Sequence, residues 1–108
     1  MKTFVLMTKI ARPDANLVEV ASRLRDRASD ARTWLNEIKE KCPEVKFIAH
    51  YALLGMWDFM DIYEAPDEQT AMKVSIITRA HGAHVVESWS AIPNEKIMEI
   101  TQELRSES

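Results

Sequence analysis

Four segments of this chain read as β-strands, and none of them alternates cleanly between apolar and polar residues. Thr3–Ile10 (TFVLMTKI) carries Phe4, Leu6 and Ile10 on one side and Val5 and Met7 on the other. His84–Ile92 (HVVESWSAI) sets Val85, Trp89 and Ala91 against Val86 and Ile92. An antiparallel sheet with one wet face should keep its apolar residues on a single side. The chain is therefore restricted to folds in which both sheet faces are covered, one by its own helices and the other by something else.

The intervening segments supply the helices. From about Asp14 to Cys42, the residues Leu17, Ala21, Leu24, Ala28, Ala31, Leu35, Ile38 and Cys42 step by alternating fours and threes, and Pro43 ends the run. A helix of about 25 residues spans about 37 Å, whereas an eight-residue strand covers about 27 Å. The seam thus runs roughly two turns past the sheet. A break near Ser29-Asp30, giving two shorter helices, is the alternative. Two further β-rich runs, Glu44–Gly55 (EVKFIAHYALLG) and Met56–Ala65 (MWDFMDIYEA), meet at Gly55 and predict a hairpin. Asp67 is placed to cap a second helix, with Ala71, Val74, Ile77 and His81 along one side and Gly82 just past its end. After Pro93, Asn94 can cap a terminal helix striped by Ile97, Ile100 and Leu104.

The order β-α-β-β-α-β plus a terminal helix is the split βαβ, ferredoxin-like α+β arrangement around a four-stranded antiparallel sheet. Right-handed crossovers place both main helices on one face. The expected organisation is a single domain over residues 1–108, with a core at 1–93 and a C-terminal helix at 94–105. Its bare sheet face predicts a dimeric α/β barrel, that is, a homodimer or a higher oligomer.

Composition narrows the function classes. No apolar run approaches the ~20 residues that span a bilayer, and the apolar part of MKTFVLMTKI is too short for a signal peptide, so a cytoplasmic protein without a membrane partner is expected. A net charge of −3 argues against nucleic acid as a partner. The single cysteine, Cys42, provides neither a disulfide nor zinc spacing. With only Gly55 and Gly82, the chain lacks the clustered glycines of phosphate loops and dinucleotide fingerprints. Neither a cofactor nor a metal is expected.

The hairpin suggests a site. If Gly55-Met56 form a two-residue turn, Leu54 faces Trp57, Ala52 faces Phe59, His50 faces Asp61 and Ile48 faces Tyr63, all on one face. Phe47, Ala49, Tyr51, Leu53, Asp58, Met60 and Ile62 then lie on the other, a mostly aliphatic set suited to packing under helices. The first set mixes aromatics with a His50-Asp61 pair, as a pocket between two sheets would. A carboxylate beside the imidazole orients it and favours its charged form, which makes His50 a candidate base. A satisfied interface pair without chemistry is the alternative.

Other residues have plainer readings beside their functional ones. Asp58 can fix the turn by accepting backbone N–H bonds. Trp57 and Trp89 can pack an interface or line a cavity. His81 and His84 suit a helix C-terminus better than a metal. Glu87 reads as an exposed or interface carboxylate, with a buried acid as the alternative, and Cys42 sits at a helix C-terminus, where the dipole raises a thiol pKa.

The stretch ALLGMWDFMDIYEAPDEQTA resembles the GYD-domain family, whose hallmark is a Gly-aromatic-Asp cluster in this hairpin followed by an EAPD-type helix start. The cluster here is Gly55-Met56-Trp57-Asp58, with Trp in the usual tyrosine place and one residue intervening. PEVKFIAHYALLG and HVVESWSAI also resemble the ligand-sensing domain of Lrp/AsnC-type regulators, a related dimeric α/β-barrel group. No helix-turn-helix precedes the domain, the first helix is longer than the usual GYD version, and the terminal helix is an addition. In the sensor domains effectors bind near the hairpin turn at subunit contacts, and the resemblance carries that role to Gly55, Trp57 and Asp58. It implies a fold more than an activity.

The expected function is that of a homo-oligomeric α/β-barrel protein binding a small metabolite, as a stand-alone sensor or accessory module. Gly55, Trp57, Asp58, Phe59 and Tyr63 are the expected ligand contacts, beside His50 and Asp61. One alternative is a cofactor-independent enzyme of the monooxygenase or isomerase type, with His50 as general base oriented by Asp61. The other is a structural assembly module built on the long helix.

Overall fold

The computed structural model describes residues 1–106. Its elements follow the expected order: β1 (Lys2–Lys9), α1 (Leu17–Lys41), β2 (Lys46–Ala52), β3 (Phe59–Ala65), α2 (Glu68–Ala80), β4 (Val85–Ala91) and α3 (Lys96–Ser106). The strands form one antiparallel sheet in the order β2-β3-β1-β4, the ferredoxin-like arrangement. Both main helices contribute to a single core: Trp34 and Ile38 from α1 and Ala71, Val74 and Ile77 from α2 pack on Phe4, Leu6, Tyr63 and Ala65 of the sheet.

Local chemistry sets the helix ends. Asn16 caps α1 by accepting the Glu19 N–H at 2.9 Å. Asp67 caps α2 by accepting the Thr70 N–H at 2.8 Å, and these bonds hold its carboxyl below the usual range. Gly82, at φ +96°, takes up the positive φ just past the end of α2. His81 does more than face the helix dipole, because its Nε2 lies 3.1 Å from Glu37 Oε1 and ties the end of α2 to α1. Cys42 is buried, and burial more than any other influence pushes its thiol pKa up.

α1 is one unbroken helix of 25 residues, so the two-helix alternative does not apply. Its buried residues, Trp34 and Ile38, both belong to the C-terminal half, while Leu17 and Val18 are largely exposed. The N-terminal turns therefore overhang the sheet, as the length comparison requires. The molecule as a whole is elongated, 57 Å along its longest axis against 31 and 19 Å.

The strands of the hairpin differ from expectation in their pairing and in the face they present to the helices. Ala52↔Phe59 and His50↔Asp61 pair as anticipated, but a bulge between Phe47 and Ala49 places Phe47, not Ile48, opposite Tyr63. The bulge turns the aromatic ring of Phe47 inward against Trp34 and Tyr63, with centroids 5.4 and 5.6 Å away, and leaves Ile48 exposed. The two faces are also exchanged. The face with Phe59, Asp61 and Tyr63 lies beneath the helices, because its large rings fill the gap between sheet and α1. The flatter aliphatic face, with Ala49, Tyr51, Met60 and Ile62 joined by Val5 and Trp89, is the one the helices leave bare. Tyr51 and Trp89 are about half exposed there, at 52% and 45%.

Candidate functional site

Above the His50–Asp61 pair, α1 presents Ala28 and Ala31. These short side chains leave a cleft of about 250 Å³ between helix and hairpin, walled by Trp34, Leu35 and Phe59, with Arg27, His50 and Asp61 as its polar groups. Mostly apolar walls with a few convergent polar groups are the usual form of a small-molecule site.

The polar groups are closely coupled. His50 Nδ1 lies 2.6 Å from Asp61 Oδ1. This leaves Nε2 as the ring nitrogen open to a ligand, and the side chain is 48% exposed. The ring stacks on Phe47 at 5.2 Å and meets the edge of Trp34 at 6.4 Å, so its orientation is held by packing as well as by the carboxylate. Asp61 is buried, and burial raises its pKa despite the opposing influence of the His50 hydrogen bond, the His50 charge and Arg27.

Arg27 completes the arrangement. Its guanidinium lies 4.2 Å from the Trp34 ring centroid and 5.4 Å from that of Phe59, in cation–π range. Nη2 is 4.0 Å from Asp61 Oδ2, with the Arg27 side chain only 10% exposed. Burial lowers the Arg27 pKa, and the Asp61 charge works against that shift. Asp61 Oδ2 and Thr8 Oγ1 are buried without a hydrogen-bond partner. The register puts both residues on the helix-covered face of neighbouring strands. The site thus holds a buried cation and carboxylate in charge balance but incompletely hydrogen bonded.

The residues expected to share one pocket are divided by the tertiary structure. His50, Phe59 and Asp61 meet in the cleft. Tyr63 is fully buried beside it, stacked on Phe4 at 5.6 Å. Its Oη lies 2.9 Å from Ser88 Oγ, which is 2.7 Å from Ser75 Oγ. Trp57 turns to the bare side of the sheet and packs edge-on against Trp89, centroids 6.1 Å apart. Asp58 is a clamp: its Oδ2 accepts the Ile10 N–H at 2.7 Å, and its own N–H donates to Thr8 O at 2.9 Å. Lys9 Nζ adds a 2.7 Å bond to Met56 O. The hairpin loop is wider than a two-residue turn. It is closed by Leu53 N–H donating to Asp58 O, and Gly55 adopts φ +144° within it.

The cluster Gly55-Met56-Trp57-Asp58 is therefore the segment that binds the hairpin loop to the end of β1. A family model for the GYD domain matches residues 18–101. The chain belongs to the GYD-domain family. No curated protein and no solved structure matches it. The matched span of this GYD domain begins within α1 and ends within α3. β1 precedes it yet lies in the middle of the sheet between β3 and β4, held there in part by the Asp58 clamp.

Arg27 and Trp34 were not among the expected site residues, although a signal for them exists. They lie one heptad apart, and Leu24, Arg27, Ala31, Trp34 and Ile38 step by threes and fours in a row that shares Leu24, Ala31 and Ile38 with the aliphatic seam. A charged residue in such a row is placed to meet a buried partner. Among the described residues no group of three or more His, Cys, Asp or Glu side chains is arranged to hold a metal ion, and no described helix is long and apolar enough to cross a membrane.

Proposed function

We propose that this GYD domain binds a small metabolite in the cleft beneath α1, acting as a sensor or accessory module, and that it works as a homo-oligomer whose subunits meet through the bare sheet face. The carrying observation is the convergence of His50, Asp61 and Arg27 on one apolar cleft of about 250 Å³. A ligand with an apolar body against Trp34 and Phe59 and a hydrogen-bonding head at His50 Nε2 matches its chemistry. Self-association is supported by Tyr51, Trp89 and the aliphatic residues of the bare face, since monomers seldom expose so continuous an apolar surface.

The test is a thermal-shift screen of a metabolite library. A ligand present at a hundred times its Kd stabilises the chain by about 2.7 kcal/mol. That shift should vanish in Ala31→Leu, which fills the cleft, and shrink in His50→Ala. A shift unchanged in both variants would place the ligand elsewhere.

The 2.6 Å His50–Asp61 contact favours a second reading, a cofactor-independent enzyme with His50 as general base. In that case His50→Ala abolishes turnover while ligand affinity and fold survive. For a pure binding module the same variant changes affinity alone.

A further inference from the structure

We propose that the free edge of β4, together with the outer side of α2, forms a second interface that joins two copies of this chain about a two-fold axis. An edge strand presents unpaired backbone groups that template another strand unless something blunts them. The sheet has two edges, β2 and β4. β2 is blunted by the bulge at Phe47/Ala49 and by Lys46 at its start. β4 runs in continuous register from Val85 to Ala91 without bulge, lysine, proline or glycine, and its one charge is Glu87. Beside it, α2 turns Met72 and Ile76 outward, 62% and 57% exposed. A groove of about 350 Å³ separates them from Val86 and Ser88 of β4. Strand edge and helix flank thus share one apolar side of the molecule.

The occupant that fits is a second copy. α2 carries Glu68 at its first position and Arg79 one residue before its end, and both line this groove. Glu68 Oε1 also accepts from the exposed Lys2 Nζ at 2.8 Å, a surface pair that leaves its second oxygen for a partner. A two-fold axis near Ser75 and Ser88 runs the two α2 helices antiparallel and brings each Glu68 toward the other copy's Arg79. Parallel helices would instead oppose Glu68 to Glu68 and Arg79 to Arg79. The strands agree with this choice. With Ser88 at the centre of the pairing, Glu87 falls opposite Trp89 and Val86 opposite Ser90, so no like charges meet. This interface extends the self-association proposed above but uses the edge of the sheet rather than its bare face, so the two can fail separately.

Light scattering on the 108-residue chain at one fixed concentration tests it. The unmodified chain should be at least dimeric, and Met72→Glu combined with Ile76→Glu should halve its mass without altering the circular dichroism spectrum. Tyr51→Glu, on the bare face, should leave the edge pairing intact. Because the Glu68–Arg79 contact occurs twice in a two-fold pair, Glu68→Arg or Arg79→Glu alone should raise the dissociation constant about tenfold, and the two together should restore it. A monomeric wild type, an unchanged mass in the α2 variant, or no recovery in the charge-swapped double variant would overturn the proposal. A mass that falls only with Tyr51→Glu would keep the bare-face contact and remove this one.

Discussion

At Asp61, burial and charge pairing act in opposite directions. Burial raises the carboxyl above its ordinary value of 3.8 by more than His50 and Arg27 lower it, so the folded chain holds this proton more tightly than the unfolded chain. The resulting stability is present in full below the ordinary value and is lost as pH rises through the raised one. Asp61→Asn removes the dependence. Urea midpoints at a series of pH values should show the native chain losing ground to that variant across this window, whereas an advantage that grew with pH would mean the pairing outweighs burial. A neutral contact nearby gives a simpler case. Trp34 Nε1–H donates to Thr78 Oγ1 at 2.9 Å, with both residues buried. Thr78→Val keeps the shape but strands the indole N–H, and should cost about 1–3 kcal/mol, while Thr78→Ser retains the acceptor and most of the stability.

Among the elements, α1 and the hairpin loop are the least typical. The two halves of α1 rest on different support: Trp34 and Ile38 are buried, whereas Leu17 and Val18 face solvent. Backbone hydrogen bonds without buried contacts open easily. In dilute solution the amides of residues 18–26 should therefore exchange hydrogen faster than those of 34–41, and uniform protection along the helix would contradict the overhang. The loop depends on Gly55. At φ +144° a side chain is strained even though a Cβ there would meet nothing within 4 Å. Gly55→Ala should cost about 1–3 kcal/mol from the backbone alone, seen as a lower denaturation midpoint with the cleft chemistry unchanged.

For the whole molecule, the outstanding feature is apolar surface that one copy does not cover. It lies on the bare sheet face, along the flank of α2, on the overhanging turns of α1 and on Ile97, Met98 and Leu104 of α3. An 11-residue terminal helix is marginal in water by itself, so α3 gains stability if a neighbouring surface covers its stripe. Removing residues 96–108 should accordingly alter the assembly mass or its midpoint of dissociation while leaving the sheet's circular dichroism signal in place.

Much of the architecture was legible because it rests on local rules. Period-two and period-3.6 patterns, with Pro43, Asp67 and Gly82 as punctuation, determined the element order and the α2 cap. Centring the hairpin on Gly55-Met56 gave the His50–Asp61 register, although the loop there is wider than a two-residue turn. The length of α1 against its strands determined the overhang. Tertiary structure alone decided which face of the hairpin the helices cover, because a strand's alternation separates two sides without saying which is inside. It also decided that Phe47 displaces Ile48, since the bulge answers to ring packing against Trp34 and Tyr63. The expected site residues were dispersed for the same reason: Trp57 follows Trp89 to the bare face, and Asp58 serves the β1 end. The spacing of Arg27 points it inward, but that its partner is Asp61, 34 positions away, was decided only by α1 passing above the hairpin.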